Sequence, residues 1–302
     1  MKYAVITGGW SAEKNENING AKDVGGSLAK KHEVQEFVFD NAYNGEKNKK
    51  IISRIKKFGP DLAFLCTTEE LPIQGVLEFL RIKHTGSGVL TTSLSLDKEK
   101  CKLLFNLNDI KTPSGLTISR SAFIEKQVDF SSIIFPVVVK PNSSGSSCGV
   151  SLVKNNQELV VALKKALSID SKVLVEEYIS GREITVPMID ENLLPVIEII
   201  KKKEIFDYAS KAEHEKFVKY EKIRLSKEIL LEIESTMLKL RNIFSIKNIF
   251  RADFILDDNR LVLLEINALP CLANGMMGVS AQERGWTYDH FLEVVARSAL
   301  TH

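Results

Sequence analysis

The sequence predicts a mixed α/β protein, α+β in part: an N-terminal parallel α/β domain followed by two α+β domains. Three observations predict it. Short apolar runs alternate with helical patterns over the first third of the chain, which is the signature of βαβ units and a parallel sheet. From about Leu94 the pattern changes to strand pairs separated by turn-rich loops, which marks antiparallel pairing. The 302 residues also exceed a single ordinary domain of roughly 100–200 residues. The pattern breaks give divisions at 1–92, 93–185 and 186–302.

In order, Tyr3–Thr7 reads as a buried strand ending in Gly8-Gly9, Ile18–Lys30 as a helix and Val34–Phe39 as a strand. Lys47–Phe58 reads as a helix, Asp61–Leu65 as a strand, and Pro72–Leu80 as a helix with Pro near its first turn. Thr85-Gly86-Ser87-Gly88 closes this unit. Lys98–Asn108 is helical. Phe135–Lys140 is a β-branched strand that runs into Pro141-Asn142-Ser143-Ser144-Gly145-Ser146-Ser147-Cys148-Gly149, and Val150–Val153 resumes, so a hairpin is expected. Gln157–Ser168 is a helix and Lys172–Tyr178 a strand. Strand signals at Glu183–Ile189 and Leu193–Ile200 precede a polar segment, Tyr208–Tyr220, and a long helix, Ser226–Phe244, capped by Ser226. Ile249–Leu256 and Arg260–Ile266 flank the turn Asp257-Asp258-Asn259, and Thr287–Leu300 is a closing helix.

Lys plus Arg is 41 and Asp plus Glu is 39, a formal charge of +2. That balance gives no general reason to expect a nucleic acid or an anionic membrane as partner. The longest apolar runs fall far short of the ~20 residues of a membrane span, and the N-terminal apolar stretch is too short for a signal peptide. The four cysteines, Cys66, Cys101, Cys148 and Cys271, are scattered, with no Cys-x-x-Cys spacing. A cytoplasmic protein with reduced thiols is expected.

Four segments could carry chemistry. Arg251 and Asp253 are two apart on one strand, and Glu265 and Asn267 are two apart on its partner, so each pair shares a face. Two carboxylates and an amide oxygen suit a hard cation, chiefly Mg²⁺, that keeps waters and bridges to phosphates; a cross-strand salt-bridge cluster is the alternative. Lys140 ends a buried strand beside a Ser/Gly loop. That suits an oxyanion held by backbone N–H groups and an ammonium, or a plain hairpin turn. Glu176-Glu177-Tyr178-Ile179 and Glu183 could hold a base and ribose, or be an exposed strand end. Gly8-Gly9-Trp10-Ser11-Ala12-Glu13 follows the first strand, where ligands of parallel sheets sit, and Glu13 could meet an ammonium.

Together these segments resemble, in order and spacing over nearly the whole chain, the D-alanine–D-alanine ligase family of the ATP-grasp superfamily. The resemblance implies an ATP-grasp fold, with ATP between the central and last domains. Gly-Gly-Trp-Ser-Ala-Glu is similar to the opening loop, implying that Glu13 contacts the first amino acid. Leu-Ser-Leu-Asp-Lys implies Lys98 as a phosphate contact. Val-Val-Lys-Pro-Asn-Ser-Ser-Gly-Ser-Ser-Cys-Gly-Val implies Lys140 on ATP phosphates and Ser146 and Ser147 in the loop over the reaction centre. Val-Glu-Glu-Tyr-Ile-Ser-Gly-Arg-Glu resembles the adenine hinge, implying Glu176 and Ile179 at the base, Glu177 and Tyr178 between them, and Glu183 at the ribose. Arg-x-Asp and Glu-x-Asn imply Asp253, Glu265 and Asn267 on two Mg²⁺ ions, with Mn²⁺ a substitute, and Arg251 as an oxyanion stabiliser beside the backbone at Cys271. Lys211 fits the Lys of the loop that closes over the phosphates.

The departures concern the amino-acid half. A His-Gly dipeptide and acidic glycine-rich loop are replaced by Leu65-Cys66-Thr67-Thr68-Glu69-Glu70-Leu71, two residues shorter. The Tyr after the loop Lys is Ala212, with His214 two residues on. Pro270 is followed by Cys271 rather than Gly, and a Ser-Leu pair that meets the substrate carboxylate is Met276-Met277, or else those methionines fill core. The expected activity is a C–N ligase forming a dipeptide or related amide through an acyl phosphate, with altered amino-acid specificity. An authentic D-alanine–D-alanine ligase of cell-wall synthesis, a depsipeptide-forming variant and a non-catalytic ATP-binding paralogue are the alternatives. The expected partners are small amino acids, and the resemblance implies a homodimer.

Overall fold

A computed structural model describes residues 1–9, 13–39, 45–125, 127–145, 147–201, 218–258, 260–273 and 275–302. The expected parallel unit is present. Strands β1 (Lys2–Gly8), β2 (Glu33–Phe39) and β3 (Leu62–Cys66) pair in parallel in the order β2-β1-β3. One face carries Ala4, Ile6, Phe37, Ala63 and Leu65 against α2 (Gly45–Phe58) and α3 (Ile73–Phe79). The other carries Tyr3, Val5 and Phe64 against α1 (Lys14–Leu28). Both faces are covered, so β1 and β3 read as near-continuous apolar runs, while β2, at the sheet edge, keeps polar residues in its first half.

Next come α4 (Val89–Leu96) and α5 (Lys98–Leu107), separated only by Asp97. Helix α4 departs from expectation: half of its residues are Ser and Thr, which are poor helix formers. A tertiary bond holds it: Thr91 Oγ1 donates to the Phe244 carbonyl at 2.7 Å, while Thr92 Oγ1 donates back to the Gly88 carbonyl at the helix's own start. Strand β4 (Gly115–Ser119) and helix α6 (Arg120–Ile124) were also not anticipated. Strands β5 (Val137–Pro141) and β6 (Ser151–Val153) form the expected hairpin, followed by α7 (Asn156–Ile169) and β7 (Lys172–Glu177). The antiparallel sheet runs β4-β7-β5-β6, and α7 covers one face with Leu159, Leu163 and Ala166.

The last sheet holds β8 (Arg182–Ile189), β9 (Asn192–Leu193), β10 (Ile197–Lys201), β11 (Val218–Lys222), β12 (Ile249–Asp257) and β13 (Arg260–Asn267) in the order β11-β10-β8-β12-β13, with β9 on β8. The single strand expected over Leu193–Ile200 is two, because Pro195 has no N–H for a ladder. Helix α8 (Lys227–Ile243) starts where expected, with Ser226 Oγ accepting from the Ile229 N–H at 3.3 Å. It packs Ile229, Ile233, Met237 and Leu240 with Phe105 of α5 onto the face of this sheet carrying Ile184, Val186, Ala252 and Phe254. Helices α9 (Met276–Glu283) and α10 (Tyr288–Thr301) close the chain. Phe291, Leu292 and Val295 of α10 join the core of Tyr3, Val5 and Phe64, so the chain's end completes the first sheet's cover. Among the described residues no helix is long and apolar enough to cross a membrane.

Candidate active site

The register of β12 against β13 sets the first part of the site. Arg251 lies opposite Asn267 and Asp253 opposite Glu265, so all four project from one face. A bulge between Asp253 and Phe254 returns the apolar residues beyond to their own alternation. From β8, Thr185 lies beside Asp253. Arg251 Nε and Nη2 grip the Asp253 carboxylate at 2.9 and 3.0 Å, Thr185 Oγ1 donates to Oδ1 at 2.6 Å, and Asn267 Nδ2 donates to Oδ2 at 3.2 Å. Thr185 is fully buried, and no sequence signal separated it from an ordinary strand threonine.

Helix α5 brings the second part. Asp97 caps it by accepting from the Lys100 N–H at 3.1 Å, which fixes Lys98 as the first helical residue. Asn142, just beyond β5, accepts from the Glu99 N–H at 2.9 Å and donates to Asp97 Oδ1 at 3.0 Å. This exchange ties Lys98 to the strand that carries Lys140. Lys98 Nζ donates to the Ser144 carbonyl at 2.8 Å and stands 3.7 Å from Glu265 Oε2. Burial alone would raise the Glu265 carboxyl, but Lys98, then Lys140 and Arg251, outweigh it and hold it below its ordinary value. Lys140 Nζ lies 2.8 Å from Glu176 Oε2. Burial would lower this ammonium, and Glu176 with Glu265 raises it instead.

The nucleotide-hinge candidates lie at the end of β7. Glu176 is 3% exposed and turned toward Lys140. Glu177 points elsewhere: its carboxylate accepts from the Ser114 N–H at 2.8 Å. The Tyr178 N–H donates to the Pro136 carbonyl, and Tyr178, Ile179 and Glu183 are half-buried. Ser147 sits in a positive-φ turn closed by Cys148 N–H on the Gly145 carbonyl at 3.0 Å. Ser146, Lys211, Ala212 and His214 lie outside the described residues.

The amino-acid side gathers carboxylates. Glu13 precedes α1, and a Cβ placed on Gly145 would lie 3.5 Å from its Oε2, so the opening loop and the Ser/Gly loop meet. Glu69 Oε1 accepts from the Leu269 N–H at 3.0 Å, just past β13. Burial, then the charges of Glu13 and Glu69, pushes Glu70 up to about 7 against the pull of Lys98. Cys271 is exposed on the adjoining stretch, and a Cβ on Gly20 of α1 would lie 3.6 Å from its Sγ. Met277 is fully buried in the core under the first sheet, so it fills core, while Met276 is half-buried in the first turn of α9.

Two carboxylates and an amide on one sheet face, opposite two lysines, fit a hard divalent cation completed by waters and phosphate oxygens. They do not make an all-protein cage: among the described residues no group of three His, Cys, Asp or Glu side chains could hold an ion.

Residues 105–296 match the family described as D-ala D-ala ligase C-terminus. The chain is 30% identical to the D-alanine–D-alanine ligase of Clostridium perfringens (strain SM101 / Type A), across 99% of this chain and 98% of the relative. It is 29% identical to that of Aquifex aeolicus, over 98% and 99%. Among solved structures, the Bacillus anthracis D-alanine–D-alanine ligase complexed with ATP superposes with a TM-score of 0.84, at 26% identity, covering 100% of this chain and 98% of that one. The ATP-grasp fold expected from the sequence is the one this likeness gives.

Proposed function

Because the chain belongs to the D-alanine–D-alanine ligase family, we propose that it is an ATP-dependent carboxylate–amine ligase with an altered amino-acid pocket. The γ-phosphoryl group of ATP passes to an amino-acid carboxylate, giving an acyl phosphate and ADP. The amine of a second substrate then attacks the acyl carbon, and phosphate leaves. The observation that carries this reading is the Arg251, Asp253, Glu265 and Asn267 face set against Lys98 and Lys140.

Asp253, Glu265 and Asn267 would hold Mg²⁺, which when bound supplies positive charge to the transferring phosphoryl group. Lys98 and Lys140 add charge at the same oxygens, with the Ser147 turn over them. Arg251, held flat by Asp253, and the backbone at Cys271 would face the oxyanion of the tetrahedral intermediate. Glu13 orients the first substrate's ammonium. Glu176, Tyr178 and Ile179 line the base and Glu183 the ribose. Ser146 and Lys211 keep their roles in this reading by likeness to the family alone. The divisions 1–92, 93–185 and 186–302 also remain proposals, supported by three separate sheets.

The altered pocket rests on Cys271, on Met276 and on the Glu69–Glu70 stretch; the burial of Met277 removes it from that argument. An authentic D-alanine–D-alanine ligase is favoured by the relatives of that name, which match nearly end to end. Phosphate release from ATP and a mixed pool of D- and L-amino acids, with mass spectrometry of the products, separates the two. D-alanyl-D-alanine as the main product at an ordinary rate rejects the altered pocket, and no phosphate release with any pair rejects the ligase. The metal assignment is tested by Glu265→Gln. Turnover should fall on the order of 100-fold or more, and unchanged turnover at low Mg²⁺ removes Glu265 from the metal set.

A further inference from the structure

Besides Lys140, a lysine of α5 contacts the nucleotide-hinge carboxylate. Lys102 Nζ lies 3.0 Å from Glu176 Oε1, while Lys140 Nζ lies 2.8 Å from Oε2. Among the described residues Oε1 has no directed hydrogen bond, so Lys102 is what neutralises that oxygen. Lys102 is fixed in turn, donating to Thr112 Oγ1 at 3.0 Å and to the Pro113 carbonyl at 2.6 Å. Its ammonium is therefore held among three oxygens, with two of its protons on Thr112 and Pro113. Among the described residues Lys140 makes no second hydrogen bond of this kind, and Glu176 is its nearest counter-charge.

We infer that Lys102 is a positioning residue for the nucleotide: it takes up half of the Glu176 carboxylate and so leaves the Lys140 ammonium available to an incoming phosphate. Were Lys102 neutral, the whole charge of a buried carboxylate would fall to Lys140. That tighter pair would compete with the phosphate for the same ammonium. A groove of about 470 Å³ runs beside Lys102, Thr112, Pro113 and Glu176. Water from it can reach Thr112 and Pro113 when the ammonium is removed.

The inference rests on the ATP-ligase reading, and the experiment tells the two apart. Binding of ATP with Mg²⁺ is measured by calorimetry on the full chain, with melting temperature and steady-state kinetics alongside. A wild-type chain that binds no ATP overturns the ligase reading itself. With wild-type binding intact, Lys102→Met should weaken ATP binding about tenfold or more. KM for ATP should rise by more than kcat falls. Lys102→Arg, which keeps the charge, should restore most of the affinity. The deciding measurement is the cycle with Glu176→Gln: once the carboxylate is neutral, the penalty of Lys102→Met should largely vanish. Should Lys102→Met not fold, Lys102→Gln keeps a donor for Thr112 and Pro113 without the charge and takes its place in the cycle. Unchanged ATP affinity in a folded neutral variant, or the same penalty in the Glu176→Gln background, overturns the role of Lys102.

Discussion

Asp253 accepts hydrogen bonds from Arg251, Thr185 and Asn267, so replacing it does more than delete a candidate metal ligand. Asp253→Asn would leave a buried guanidinium without its counter-charge, a loss of about 3–5 kcal/mol for a buried pair. Glu265→Gln is the cleaner probe, because Glu265 is partly exposed and faces Lys98 only at 3.7 Å. A second residue-scale expectation concerns Glu70. Its carboxyl keeps its proton to about 7 in the folded protein and releases it near 4.5 when unfolded. Between those values the folded state binds more protons than the unfolded one, so stability falls as pH rises through the window. Glu69, also raised by burial, acts in the same direction. Urea midpoints at about pH 5 and about pH 8 should therefore differ, and Glu70→Gln should shrink the difference. An equal pH difference in the variant would count against the raised Glu70.

Gly8, at the end of β1, has φ +103°, and a Cβ there would stand 2.2 Å from the Phe39 carbonyl oxygen of β2. The strand end therefore accepts no side chain. Gly8→Ala should cost about 2–4 kcal/mol, read from a denaturant midpoint. A loss below 1 kcal/mol, roughly what an unstrained Gly replacement brings, would contradict the close approach. Elements with one strong period were legible from sequence: β1, α7, α8, the β12–β13 hairpin and α10 all fall within a few residues of expectation. Helices α4 and α9 were not. Each is only eight residues, too short for a clear period, and α4 is half Ser and Thr; Thr91 bonded to the Phe244 carbonyl and Met277 buried in the core hold them in place.

The molecule brings together groups far apart in sequence. Lys98 meets Glu265, Glu69 meets the backbone at Leu269, and α10 seals the first sheet. A ligand that bridges these segments should stabilise all of them at once. ATP with Mg²⁺ at 100 times its dissociation constant should add about 2.7 kcal/mol to folding, seen as a melting temperature that climbs with concentration. No rise at saturation would be incompatible with ATP binding in this cleft.

The sequence by itself determined the order of the strongly periodic strands and helices, and the facing pairs Arg251 and Asp253, Glu265 and Asn267. Both follow from local periodicity, because a strand's alternation fixes which residues share a face. It also carried the Lys98, Lys140 and Glu176 motifs. Only the tertiary structure decided that Thr185 bonds Asp253, that Asn142 joins α5 to β5, that Met277 is core, and that Lys102 shares Glu176 with Lys140. Each of those is a contact between segments distant along the chain, and its distance is set by how sheets and helices pack, which no local pattern encodes.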